Sequence, residues 1–418
     1  MVTGEDLRKA REAKGVSLGK LAAELKRDKG HLSRVERGDA REVTPALVRD
    51  YERALGVTVA ATVGSSSDAP RPATVGEVRR RLLLGKIAVA AVGAAAPEPV
   101  TRLLDGLEAE LPDQVGVSEV EAVEAAADLY MRMDLAHGGG MAAAVARSSL
   151  RWASRLVDRD MTEAIRERLS SGIGLLADRL GWALYDVGDT SNASELLTFA
   201  LDSSARGPDR DLRAHIMLDL STVMTDAGHP FDGVEVLRLA LGDERISSAE
   251  RANLHAVCAR HCATAGQREA GLRHVALAEE ALTKSEPALA PEWAHHITVS
   301  KGHHDSALGL ALFSLGEETR AEERLAAALK ALDSGRTRTG LRCRTRLAVL
   351  HMRHEARDKG EAEARRAVAD AAGVRSARIA TDLRMMIDSA REYGMKDLAL
   401  ELTASVRAQE RGRGGGGI

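Results

Sequence analysis

His255, Cys258 and Cys262 stand three and four residues apart, which sets an imidazole and two thiols on one face of a helix. That set suits a soft metal or thiol redox chemistry, but a closed zinc site needs four ligands. The three also fall where buried hairpin contacts recur along the chain, so core packing accounts for them. HMRHE (351–355) offers two histidines and a glutamate, yet it is not HExxH and lacks a third distant ligand. HHITVSKGHHDS (295–306) gathers His295, His296, His303 and His304, read here as a solvated loop, with pH sensing or metal binding as the alternative. No phosphate loop, nucleophile elbow or credibly spaced carboxylate pair occurs, so no enzyme, metal or cofactor is expected.

Recognition is better supported than catalysis. The 418 residues carry a net charge of −3, against a uniformly nucleic-acid-coating protein. Residues 1–55 nevertheless hold thirteen Lys/Arg against ten Asp/Glu, so the first module is mildly basic and the remainder acidic. Three cysteines make no disulfide framework and fit a reducing, cytoplasmic setting. Aromatic residues are only 2%, which favours helices packed through small side chains over a β-rich core. The apolar run RRRLLLGKIAVAAVGAAAP (79–97) is interrupted by Lys86 and follows a folded module. It reads as a buried helix, not a membrane span or export signal.

The stretch GVSLGKLAAELKRDKGHLSRVERG (15–38) supplies the elements that would position the basic residues. Ser17 caps a helix starting at Leu18, with Leu18, Leu21, Ala22 and Leu25 on one face. After the short turn LKRD, Asp28 caps a second helix whose Leu32 and Val35 point inward and which Gly38 ends. Glu5–Ala13 forms a helix before this pair, and Thr44 with Pro45 opens one after it. Over residues 5–57, including LSRVERG and the closing ALGV, the sequence resembles the Cro/phage-repressor (XRE family) helix-turn-helix. The resemblance implies a recognition helix in the major groove of double-stranded DNA, with Lys29, Gly30, His31 and Arg34 facing the bases. Ser17, Leu18 (through its backbone N–H), Arg37 and Arg41 would lie near phosphates. Gly30 stands where that family usually has a base-reading side chain, so phosphate contacts should carry much of the affinity.

A self-comparison shows the rest to be repetitive. GDTSNA (188–193), GHPFDG (228–233), GQREAG (266–271), GEETRA (316–321) and GMKDLA (394–399) each place Ala or Gly five residues after a turn glycine. A degenerate copy lies around RTRLAVLHMRHEARDKGEAEARRAVADA, and 127–156 reads as a divergent first unit. Small residues at each crossing let paired helices approach. The pattern resembles the tetratricopeptide repeat, which implies an all-α chain: a helix-turn-helix domain followed by a right-handed solenoid of about seven hairpins. The expected organisation is a DNA-binding domain (1–60), a linker (61–76), a connecting helical segment (77–117), a repeat sensor (118–408) and a disordered tail (409–418).

The combination is similar to actinobacterial helix-turn-helix regulators with repeat domains and, more distantly, to peptide-sensing regulators of Gram-positive bacteria. It implies a ligand-responsive transcription regulator, a homodimer on a pseudo-palindromic operator, with a peptide or small molecule in the concave groove. The alternative is a scaffold whose main role is to bind a protein partner. The register puts Asp178, Trp182, Tyr185 and Asp186 in the groove, then His215, Thr222, Asn253 and Arg260. His303, Leu310 and Phe313 follow, then Arg384, Asp388 and Arg391. Peptide sensors of that kind hold the peptide backbone with asparagine amides, but this chain has only Asn192 and Asn253, so Arg, His or Asp must take that part.

Overall fold

A computed structural model describes residues 3–37, 43–56 and 111–414, apart from Pro287, Leu289, His296 and Thr298. Arg41, Gly38, His296, the linker and the apolar run 79–97 lie outside the described residues. The chain divides into two compact units, Met1–Leu107 and Glu108–Ile418. Among the described residues there is no strand, only an isolated bridge between Gln114 and Asp160.

The first unit holds α1 (Gly4–Ala13), α2 (Leu18–Glu24), α3 (Lys29–Glu36) and α4 (Pro45–Leu55). Side-chain oxygens of Thr3, Ser17, Asp28 and Thr44 accept the orphan N–H groups at the four starts, as the capping rule requires. Leu7, Leu21, Leu32, Val35, Leu47 and Tyr51 fill the space between the helices. Glu36 is buried among them. It accepts from Arg11 Nε (2.8 Å), Arg11 Nη2 (2.7 Å) and the Tyr51 hydroxyl (3.1 Å), which ties α1, α3 and α4 together.

The second unit is a row of helical hairpins: α5 (Val117–His137) with α6 (Gly139–Leu156), α7 (Glu163–Val187) with α8 (Thr190–Ala205), and α9 (Arg210–Asp226) with α10 (Pro230–Leu241). They continue with α11 (Ser248–Thr264) and α12 (Arg268–Thr283), α13 (Lys301–Ser314) and α14 (Glu318–Ala331), and α15 (Thr337–Arg353) and α16 (Arg357–Asp370). The last pair is α17 (Ala377–Glu392) and α18 (Lys396–Gly414). Residues 138, 188, 228, 266, 316 and 394 are turn glycines in the left-handed region, and the sixth hairpin puts Glu355 there instead, at φ 58°. This is why that unit reads as degenerate: its spacing is kept while its glycine is gone. Five residues on, Ala143, Ala193, Gly233, Gly271, Ala321, Gly360 and Ala399 are all buried at the crossings.

The row curves until its ends meet. Arg338 at the start of α15 pairs with Asp134 of α5 at 2.6 Å and with Asp186 of α7 at 3.0 Å. The Ser376 hydroxyl donates to Asp186 (2.8 Å), and the Arg375 N–H donates to the His137 carbonyl (3.1 Å). At Gly138 a Cβ would stand 2.4 Å from the Arg375 carbonyl oxygen, so nothing larger fits at this φ of 82°. The concave face is thereby bounded on the side where an open solenoid would leave it free.

Candidate ligand cavity and DNA-reading helix

On α3, Lys29, Gly30, Arg34 and Arg37 are exposed and His31 is half-buried, while Leu32, Val35 and Glu36 face the core. Asp28 Oδ1 accepts the His31 N–H at 2.9 Å and caps the start of the helix. An added Cβ on Gly30 would meet that same oxygen at 3.0 Å, a local reason for glycine here. Arg37 Nε donates to the Ser33 carbonyl, Ser17 is exposed and Leu18 half-buried at the start of α2.

The first helices of the hairpins converge on a cavity of about 160 Å³. Of the expected groove residues, Trp182, His215, Thr222, Asn253, Arg260, His303 and Leu310 line it. The others do not. Asp178 is fully buried and pairs with Arg179 (3.1 Å), and Asp186 is held in the ring closure. The buried Tyr185 turns its hydroxyl to Asp226. Phe313 packs between hairpins under the Arg353 guanidinium, 5.4 Å from the ring centre. Arg384, Asp388 and Arg391 are exposed; Arg384 bonds Thr381, and Arg391 reaches Asp388 and Thr403. The cavity contact made by α17 is Arg378, near its start.

His303 and His304 are not in a loop. They sit in the first turn of α13, His304 buried and His303 half-buried, with His303 Nε2 donating to Asn253 Oδ1 at 2.9 Å. Burial, with His304, Arg336 and His215 nearby, holds His303 well below the ordinary histidine range, so it is neutral. His215 goes the other way. Burial opposes its charge, but Glu250 at 3.2 Å, helped by Asp219 and Asp178, outweighs burial and lifts it to about 9. At the end of α15, His351 and His354 each meet a glutamate of α14, at 3.3 and 2.8 Å.

Charged side chains stud a largely apolar cavity wall. It carries six arginines, residues 179, 260, 336, 338, 342 and 378, and two carboxylates, Asp134 and Asp219. Burial and the neighbouring Asp178 push Asp219 up to about 7, so it is partly neutral. Arg378 lies over Trp182 and Tyr185, 4.6 and 5.0 Å from their ring centres, a favourable cation–π placement. Sequence periodicity missed Arg179, Arg336, Arg338, Arg342 and Arg378; an unusual run of arginines in GRTRTGLRCRTR (335–346) was the available signal.

The thiol cluster gains a member from the neighbouring helix. Cys258, Cys262 and His274 bring their donor atoms within 4.8 Å of one another, and His255 Nδ1 lies 2.9 Å from His274 Nδ1. Burial and the adjacent His274 pull His255 down to about 4. Both thiols are buried, in the packing position expected from the repeat register.

Residues 4–62 match the family model described as a helix-turn-helix domain, a span that takes in α1–α4. No curated protein matches the chain. Similar solved structures include a Rap protein complexed with competence and sporulation factor (13% identity, 70% of this chain and 96% of that one, TM-score 0.38). Two others are PlcR of Bacillus thuringiensis with the peptide PapR7 and DNA (12%, 78% and 92%, 0.36) and NprR with its cognate peptide NprX (15%, 78% and 89%, 0.43). No described helix is long and apolar enough to cross a membrane.

Proposed function

We propose that this chain, a helix-turn-helix domain followed by tetratricopeptide-like repeats, is a cytoplasmic transcription regulator whose affinity for DNA is set by a ligand in the repeat cavity. The observation that carries this reading is the pairing of a DNA-binding domain type with a built, arginine-lined cavity in the repeats, rather than a featureless protein-binding face. As a homodimer it would place two recognition helices about 34 Å apart on a pseudo-palindromic operator. A coupling of roughly 1–3 kcal/mol between cavity and DNA suffices for a 5–150-fold change in affinity.

Genome-wide DNA capture with the full chain identifies the operator. On that operator Arg34→Ala is expected to cost about 1–3 kcal/mol; unchanged affinity would remove α3 from the interface. A second reading, a protein-binding scaffold, is favoured by Phe199, Phe231 and Leu239, which stand exposed on the outer helices α8 and α10. One stoichiometric protein retained by the full chain, with no response of DNA binding to any small ligand, would favour it.

A further inference from the structure

We infer that the cavity is a subsite for a small organic anion, its carboxylate or phosphate head held by Arg260, Arg342 and Arg378 and its apolar body laid against Trp182. This rests on the cavity being the ligand site and names the chemistry of what enters it.

The argument is one of charge balance. Four of the six wall arginines have a carboxylate: Arg179 has Asp178 at 3.1 Å, Arg336 has Asp333 at 3.6 Å, Arg338 has Asp134 at 2.6 Å, and Arg342 has Asp382 at 3.1 Å. The last of these is shared, because Arg346 takes the same oxygen of Asp382 at 2.5 Å. Arg260 and Arg378 have no carboxylate within ion-pair distance among the described residues. The nearest polar contact of Arg260 is Thr222 Oγ1 at 3.5 Å, and Arg378 has only the two aromatic faces.

Three half-buried guanidinium groups therefore share one wall and repel one another. Burial, then the Arg342 charge, brings Arg260 down to about 10 even though Asp226 acts the other way, and burial, then Arg342, lowers Arg378 against the more distant Asp186. A half-buried cation with no carboxylate in direct contact is costly and is expected where a partner supplies the missing charge. A guanidinium cluster matches the oxygens of a carboxylate or phosphate better than it matches neutral amides, whose carbonyls bring no charge. Leu218, Val257 and Leu310 complete an apolar wall beside Trp182, so the head carries the charge and the body does not.

The test uses the full-length protein, calorimetric binding and thermal unfolding, with benzoate, phenyl phosphate and neutral benzyl alcohol as probes. At least one of the two anions is expected to bind and raise Tm, with benzyl alcohol weaker by about tenfold or more. Whichever anion binds more tightly identifies the head group. Arg260→Gln with Arg378→Gln should weaken the anion by about tenfold or more, with the rise in Tm on adding the anion read against the variant's own unliganded Tm. Should that double variant fail to fold, Arg378→Gln alone with Arg260 intact gives the same direction. Benzyl alcohol binding as well as benzoate, anions binding the double variant undiminished, or neither anion binding the wild type would each overturn the subsite. If an anion binds but operator affinity does not change, the subsite stands and the regulatory reading of the preceding section fails.

Discussion

Both units bury charge, and they do so differently. In the first, Glu36 meets Arg11 through two hydrogen bonds and Tyr51 through a third, and the account closes locally. In the second, six arginines stand on the cavity wall against two carboxylates, and among the described residues Arg260 and Arg378 have no acid within ion-pair distance. A closed network fixes helices relative to one another. An open one leaves an electrostatic demand that a bound anion would meet.

That contrast can be broken most sharply at Glu36. Glu36→Ala leaves the half-buried Arg11 with only the Val16 carbonyl and Glu12, and the Tyr51 hydroxyl without its acceptor, and is expected to cost about 3 kcal/mol. Hydrogen exchange on the full chain should show protection lost in residues 4–55 and retained in the repeats. A loss under about 1 kcal/mol would mean that the pair is no more than a surface contact.

His215 sharpens the same contrast by pH. Its folded value near 9 lies above the ordinary 6.5, so its contribution is fully present below pH 6.5 and declines until pH 9. The shift corresponds to at most about 3–4 kcal/mol at about 1.4 kcal/mol per unit. Urea unfolding of the wild type should weaken across that window. The slope should flatten in His215→Gln; an unchanged slope in that variant would assign the effect to another group.

The smallest effect tests the repeat register itself. Glu355 occupies a left-handed turn that glycine takes in the other hairpins. Glu355→Gly is therefore expected to stabilise by up to about 1 kcal/mol, partly offset by the freedom glycine adds to the unfolded chain. A lower Tm would mean that the Glu355 side chain contributes more than its strain costs.

The hairpins were legible because a turn glycine and a small residue five positions later recur, as at Gly188 with Ala193 and Gly316 with Ala321. The helix-turn-helix was legible from its caps. Ser17, Asp28 and Thr44 accept the bonds their residue types suggest. Groove residues in the middle of the row, such as His215, Asn253 and Arg260, were legible because the first helix of each central hairpin presents the same face. The register failed at Arg384, Asp388 and Arg391. There α17 no longer continues the groove but closes against α7, and Arg378, two turns earlier than Arg384, meets the cavity. Periodicity tells which face of a helix is inward; it does not tell how far a stack of helices bends. His303 and His304 were missed as a helix start because SKG looks like a turn, yet α13 begins at Lys301.

A linear stack of repeats frays from whichever end is loosest, since each unit touches only its neighbours. Here the clasp between Asp134 and Arg338 spans 204 residues of chain, so the opening hairpin is not a free end once the sixth exists. During synthesis at about 5–20 residues per second, Asp134 would wait roughly 10–40 s for its arginine to emerge. The early hairpins must keep themselves soluble for that interval, and the finished ring should melt as one cooperative body rather than unzip.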